Sequence, residues 1–412
     1  LVVDEAHCIS EWGHNFRPDY LKLPTYRDEL NIPLVLLLTA TATKAVKRDM
    51  ANKFAIHEEH IVQTGFYRPN LDLAVVPVST DDKNAVLLQQ ITSKQGPGIV
   101  YVTLQQSAER IAHFLSQNNL NAAAYHAGFD NEKRQHIQEQ FMAGNIQIVV
   151  ATIAFGMGID KSDIRFVVHY DLPKSIENYS QEIGRAGRDG LPSQCITLAN
   201  LDGLNTVENF VYGDTPELVA IDFVLNNIRT EQQNGNWELL LLSLSNASNV
   251  RQLPLKTLLV QLELLGVVQP KYAYFADIKY KFIKPQHEIL NQFDGERRDF
   301  VDAIFNNTHM KKVWGEPNFD SLFANYASDR GRVITALEYL QETHCIELET
   351  KRMTEVFAVN ENTLAAPELS QKLHHYFVEK EQKEIKRIAA LIRFFELDSC
   401  LSSNLSRYFD DN

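Results

Sequence analysis

Cysteine is scarce in this chain: 412 residues hold four, at positions 8, 195, 345 and 400. Thiols so few and scattered do not make a disulfide scaffold, and a reducing, cytoplasmic compartment is the simplest expectation. Long apolar runs are missing too. The longest aliphatic stretches, Leu34–Leu38 and Leu239–Leu242, fall far short of the ~18 residues that a membrane span needs. The opening residues show no basic segment followed by an apolar one and a cleavage site, which argues against secretion. No Gly-Lys pair occurs anywhere, so the phosphate-cradling string G-x-x-x-x-G-K-[ST] is absent. Positive charge is in deficit, with 40 Lys and Arg against 53 Asp and Glu and a net charge of −13. Such a field does not favour a protein coated in nucleic acid, although a local basic stripe still permits DNA binding.

What is present is ordinary globular composition, 44% apolar and 23% charged, enough for two or three domains at ~150 residues each. The acidity is uneven. Residues 1–200 hold 18 Lys and Arg against 22 Asp and Glu, and the remainder holds 22 against 31. The chain opens on Leu1 rather than Met, in a pattern that reads as mid-strand, and breaks off after an amphipathic stretch at Tyr408-Phe409-Asp410-Asp411-Asn412. It therefore reads as a piece of a longer protein, cut at both ends.

Residues 65–200 alternate between strand and helix patterns. Apolar runs at Gly98–Val102, Ala122–Tyr125, Ile146–Ala151, Arg165–Tyr170 and Ile196–Ala199 are separated by helical spacing at Ser107–Leu115 and Asn131–Phe141. Strands without a polar face predict a parallel sheet covered by helices. Residues 203–245 read as mostly helical. Two segments then repeat a theme. Leu255–Leu265 has helical spacing, Gly266 can cap it, and Val267–Ile283 alternates like a hairpin. Arg332–Glu342 is again helical, and Cys345–Val359 alternates around a polar turn at Thr350–Thr354. Helix plus hairpin is the winged-helix signature, and a generic α+β packing module fits the pattern equally well. Residues 370–400 predict one long helix.

The chemistry sits in a few strings. Asp4-Glu5-Ala6-His7 follows an apolar strand, where two adjacent carboxylates suit metal-assisted phosphate chemistry. Thr39-Ala40-Thr41-Ala42-Thr43 follows the next apolar run. Val150–Asp160 contains glycines that let backbone approach a ligand. Gln181-Glu182-Ile183-Gly184-Arg185-Ala186-Gly187-Arg188 sets two arginines three apart, on one face if the segment is helical. Taken singly, each string is equally well a solvated surface feature.

In this order the strings resemble a superfamily-two helicase. The segment Ala6–Tyr20, with Trp12, His14, Phe16 and Arg17, resembles the aromatic-rich loop of RecQ-type DNA helicases. Phe66-Tyr67-Arg68-Pro69-Asn70, Ala124-Tyr125-His126-Ala127-Gly128 and Ala154-Phe155-Gly156-Met157-Gly158 are similar to RecQ sequences as well. The resemblance covers about residues 1–200. It implies an α/β fold of two RecA-like lobes, with residues 1–64 an incomplete first lobe and 65–200 the second. A helical connector (201–245), a winged-helix-like module (246–285), a second helix-plus-hairpin module (286–365) and a helical segment (366–412) would follow. It implies ATP and Mg²⁺ as cofactors. Asp4 would hold the metal through water, Glu5 would be the catalytic base, and His7 would link nucleotide to loop. Arg188 would be the arginine finger, with Arg185 and Gln181 beside it and Gly158 and Asp160 at the nucleotide–DNA junction. Trp12, His14, Phe16 and Arg17 would contact single-stranded DNA. Trp12 and Phe16 read without the resemblance are core aromatics.

Two departures stand out. Without the phosphate loop, the chain as it stands is expected not to hydrolyse ATP. The four-cysteine zinc module that many RecQ proteins carry after the second lobe is absent from residues 201–230. Ser399–Phe409 resembles the helix bearing its first cysteine, so Cys400 reads either as one ligand of an incomplete Zn²⁺ site or as an ordinary cysteine. The leading expectation is a fragment of an ATP-dependent 3′–5′ DNA helicase acting on single strands and duplex junctions in recombination and repair. An RNA helicase and a non-catalytic DNA-binding or regulatory protein are the alternatives.

Overall fold

The computed structural model describes residues 1–10, 17–156 and 159–411. They form two compact units, Leu1–Pro216 with His374–Asn412, and Glu217–Leu373.

The first unit opens with a small parallel pair, β1 (Val2–Val3) and β2 (Leu36–Leu37), in the register Val2↔Leu36. Helix α1 (Leu23–Glu29) lies between them in sequence, and α2 (Lys44–Lys53) follows. The Thr43 hydroxyl accepts from Val46 N at 3.5 Å, so the Thr-Ala-Thr string ends in a helix cap. Val3, Ala6, Ile9, Ala42, Val46, Met50 and Phe54 make a local core.

A larger sheet follows: β3 (Leu71–Pro77), α3 (Lys83–Thr92), β4 (Gly98–Tyr101), α4 (Gln105–Gln117), β5 (Ala122–Tyr125), α5 (Asn131–Met142), β6 (Ile148–Ala151), β7 (Phe166–His169), α6 (Ile176–Ile183), β8 (Ser193–Ala199) and α7 (Leu204–Tyr212). Its order is β3-β8-β7-β4-β6-β5, and every pair is parallel. Strands β4, β6 and β7 are buried along their whole length, as their missing polar face predicts. Gly98 is required at the start of β4, because a Cβ there would stand 2.1 Å from the Phe166 ring. Helices cover both faces. Leu87 and Ile91 of α3 and Ile111 and Leu115 of α4 pack on one. Ile137 and Phe141 of α5 and Ile176, Tyr179 and Ile183 of α6 pack on the other.

The second unit holds α8 (Leu218–Glu231), β9 (Asn236–Leu239), α9 (Leu241–Ser248), α10 (Gln252–Leu264), β10 (Val268–Phe282), α11 (Gln286–Leu290), α12 (Gly295–Asn306), β11 (Thr308–Lys311), β12 (Trp314–Pro317), α13 (Phe319–Asn325), α14 (Arg330–Glu342), β13 (Ile346–Val359) and α15 (Glu361–Leu364). Its sheet order is β11-β12-β10-β13-β9. Here two expectations need correction. Neither predicted hairpin forms. Val268–Phe282 and Ile346–Val359 are each one long strand, and they pair with each other, antiparallel, from Val268↔Val359 to Phe282↔Ile346. The alternation was read correctly, but neither stretch contains the Gly or Asn pair that a tight turn needs. Arg352, at φ 56, kinks the strand without reversing it and grips Asp277 with two bonds of 2.6 Å. The helical reading of 203–245 also missed strand β9.

The chain continues through α16 (Leu369–Phe395) and α17 (Leu401–Tyr408). Leu391, Phe394, Leu405 and Phe409 join the α5–α6 face of the large sheet. Among the described residues, no helix is long and apolar enough to cross a membrane.

Candidate nucleotide-binding site

The acidic pair leaves the carboxyl end of β1. Ala6 N donates to Leu38 O at 2.9 Å, which ties the box to β2. Glu5 is left-handed at φ 50 and ψ 41, a conformation costing of order 1–3 kcal/mol for a non-glycine residue. Asp4 Oδ1 accepts Glu5 N at 2.8 Å and steadies the turn. Burial first, and the neighbouring Asp4 second, raise the Glu5 carboxyl above its ordinary range. His7 is buried, with Nδ1 2.8 Å from Thr39 Oγ1 and 3.3 Å from Glu5 Oε2. Burial, then Arg17, push its pKa down to about 4. A neutral imidazole protonated on Nδ1 donates toward both oxygens. Cys8 is buried with its thiol pushed up to about 11, an inert filler.

The arginines depart from the expected helix face. Helix α6 ends at Ile183, and Gly187, at φ 57, turns the chain toward β8. Arg185 and Arg188 therefore sit in a turn and point to different partners. Buried Arg185 donates through Nη1 to Gly156 O, and its Nε is buried without a partner. Arg188 Nη1 donates to Asp160 Oδ1 at 2.8 Å, an ion pair open to solvent. Gln181, on α6, donates through Nε2 to Glu5 Oε1 at 3.3 Å.

These groups share one cavity of about 1270 Å³, edged by Glu5, Thr39, Thr41, Gly156, Asp160, Gln181, Arg185 and Arg188, with an apolar wall of Leu36–Leu38, Met50 and Phe54. The structure thus joins Glu5, Gln181, Arg185, Arg188 and Asp160 around one space. Trp12, His14, Phe16 and Gly158 lie outside the described residues. Arg17 is exposed. Its Nη1 donates to the Tyr20 hydroxyl at 3.4 Å, and that hydroxyl donates to Asp4 O at 3.4 Å. Cys400 is exposed just before α17. Among the described residues, no group of three or more His, Cys, Asp or Glu could hold a metal ion. One thiolate does not fit a structural zinc site.

Sequence reasoning missed the groups behind the arginine turn. His169 Nε2 meets Glu182 Oε2 at 2.7 Å in full burial, and Tyr101 OH donates to Phe155 O at 3.0 Å. Polar residues inside otherwise apolar runs, as in Phe166–His169, were the available signal.

Comparison with known proteins agrees in two steps. The family described as Helicase conserved C-terminal domain matches residues 82–190, which takes in most of the large sheet. Beyond that class, the chain is similar to RecQ proteins. It is 45% identical to the ATP-dependent DNA helicase RecQ of Bacillus subtilis over 199 residues, covering 48% of this chain and 34% of that protein. It is 46% identical to the probable ATP-dependent DNA helicase RecS of the same organism over 202 residues, covering 48% of this chain and 40% of that one. The ATP-dependent DNA helicase Q-like 5 of Arabidopsis thaliana is 29% identical over 408 residues, 94% of this chain and 43% of that protein. The chain spans less than half the length of these relatives. The resemblance to RecQ-type ATP-dependent DNA helicases that the motifs implied is borne out.

Proposed function

We propose that this chain is part of an ATP-dependent 3′–5′ DNA helicase of RecQ type, coupling ATP hydrolysis to movement along a single strand and to unwinding at duplex junctions in recombination and repair. The residues fit a nucleotide's phosphates: the Glu5 and Asp160 carboxylates, the Gln181 amide and the Arg185 and Arg188 guanidiniums edge one cavity, and Arg185 keeps a buried donor without a partner. Asp4 would hold Mg²⁺, which when bound would neutralise charge on the phosphates. Glu5, its pKa raised, accepts the proton of the attacking water. His7 steadies Glu5. Gln181 orients the same oxygen. Arg188 exchanges Asp160 for the transferring phosphoryl group, and Arg185 backs that wall. Gly158 and Asp160 stand at the junction with DNA. Trp12 and Phe16 stack bases, His14 adds a polar contact and Arg17 takes a phosphate. The Arg17–Tyr20–Asp4 chain supports coupling of that loop to the acids. Four cysteines scattered along the chain suit a reducing, cytoplasmic compartment.

The observation that carries this reading is the Gln181–Glu5 contact at 3.3 Å, between the acidic box and the helix that leads into the arginine turn. The test uses the longer protein that this proposal implies, with a phosphate loop upstream of Leu1. Glu5→Gln should cut ATP turnover by about 10²–10⁴-fold while nucleotide binding persists. Near-normal turnover removes Glu5 from its role.

A further inference from the structure

The string Phe66-Tyr67-Arg68-Pro69-Asn70 has no part in the chemistry above, yet its polar side chains converge on the arginine turn. We propose that Arg68 and Asn70 are positioning residues that set the direction in which Arg188 leaves the backbone. The inference rests on the reading that Arg188 meets a phosphoryl group.

Arg68 Nη2 donates to Gly187 O at 2.7 Å and to Ala186 O at 3.1 Å. Its Nε donates to Asn70 Oδ1 at 3.3 Å. That bond leaves Asn70 Nδ2 as the donor to Gly187 O at 2.8 Å and to Leu191 O at 3.0 Å. Gly187 O therefore receives two donors. It belongs to the peptide that joins Gly187 to Arg188, so its orientation fixes the plane from which Arg188 projects. A charged donor on a carbonyl is stronger than a neutral one.

The turn has no freedom to move away from this grip. Gly187 is left-handed at φ 57, and a Cβ there would stand 2.4 Å from Asn70 Nδ2 and 2.8 Å from Ser193 Oγ. Gly187 N also donates to Ile164 O at 2.9 Å. The turn is held from both sides, and Pro69 restricts the backbone between the two gripping residues. The competing role is a staple for the sheet edge, since Ser193 N donates to Asn70 O at 2.9 Å beside the start of the β3–β8 pairing.

Two measurements separate these roles. In this chain, amide hydrogen exchange is followed over residues 184–191, with β3 and β8 as internal controls, in Arg68→Ala, Asn70→Ala and the milder Arg68→Lys. Loss of a charge-assisted bond should quicken exchange in the turn by about tenfold or more and leave both strands unchanged. Unchanged exchange in the turn overturns the proposal, as does a quickening that turn and strands share. In the longer protein with its phosphate loop, Arg68→Ala should lower kcat about ten- to a hundredfold with KM within about threefold. Arg68→Ala combined with Arg188→Ala should be no worse than Arg188→Ala alone; additive losses overturn the proposal. If the unmutated longer protein hydrolyses no ATP, the functional reading falls and the exchange result alone decides whether the grip holds the turn.

Discussion

The guanidinium of Arg185 donates to the carbonyl of Gly156 from so close that a Cβ at 156 would stand 2.6 Å from Nη2. The two residues come from different loops, one after β6 and one before β8. Their contact draws the glycine-containing segment and the arginine turn to the same side of the cavity. No side chain longer than hydrogen allows this approach.

Gly156→Ala should therefore displace Arg185, since the clash is with the movable end of a side chain rather than with backbone. The displaced charge loses its carbonyl partner inside a buried site. The expected cost is about 1–3 kcal/mol in chemical denaturation. In the longer protein, ATP turnover should fall by about tenfold or more. An alanine tolerated in both assays would mean that the contact is dispensable.

His7 gives a pH dependence with a definite sign. Its folded-state pKa of about 4 lies below the ordinary 6.5, chiefly through burial and then through Arg17. The unfolded chain takes up this proton as pH falls through 6.5, whereas the folded chain resists until about 4. The associated stability is complete above pH 6.5 and drains away toward pH 4, by on the order of 3 kcal/mol at most. His7→Asn should flatten the slope of Tm against pH within that window. An unaltered slope would assign the effect to other groups.

Phe409 stacks on Phe66 with ring centres 4.2 Å apart and is fully buried in the core of the large sheet. Phe409→Ala should destabilise the first unit by about 3–5 kcal/mol in denaturant unfolding. Phe66→Ala should cost less, because Phe66 is only half-buried. Equal losses would show that the stack itself, rather than burial, carries the energy.

The central strands were readable because Ile99-Val100-Tyr101 and Ile148-Val149-Val150 lack a polar face, and a parallel sheet is the fold that hides both faces of a strand. Helix starts at Thr43, Asp130 and Ser175 carry capping side chains that accept from the backbone. Strand β3 escaped notice because it follows Pro69 and carries Asp72 among its apolar residues. The two hairpins were misread for a different reason. Alternation reports that a residue stretch is extended, but not which strand pairs with it, and Val268 finds Val359 only in three dimensions. Similarly, the spacing of Arg185 and Arg188 suggested one helix face, whereas Gly184 ends α6 and Gly187 reverses the chain between them. The acids and arginines were legible as types, but the Gln181–Glu5 contact depends on how the two sheets meet, and the Arg188–Asp160 contact on which loops of the large sheet lie side by side.

The core around β4, β6 and β7 includes Leu391, Phe394, Leu405 and Phe409 from the far end of the chain, with the whole second unit intervening. A ribosome works from the amino end at ~5–20 residues per second, so the large sheet would emerge about ten seconds or more before its last covering helices. During that interval the apolar surface that these four residues later cover stands open to chaperones or to wrong partners. Closure of the first unit is consequently a late event rather than the opening step of folding.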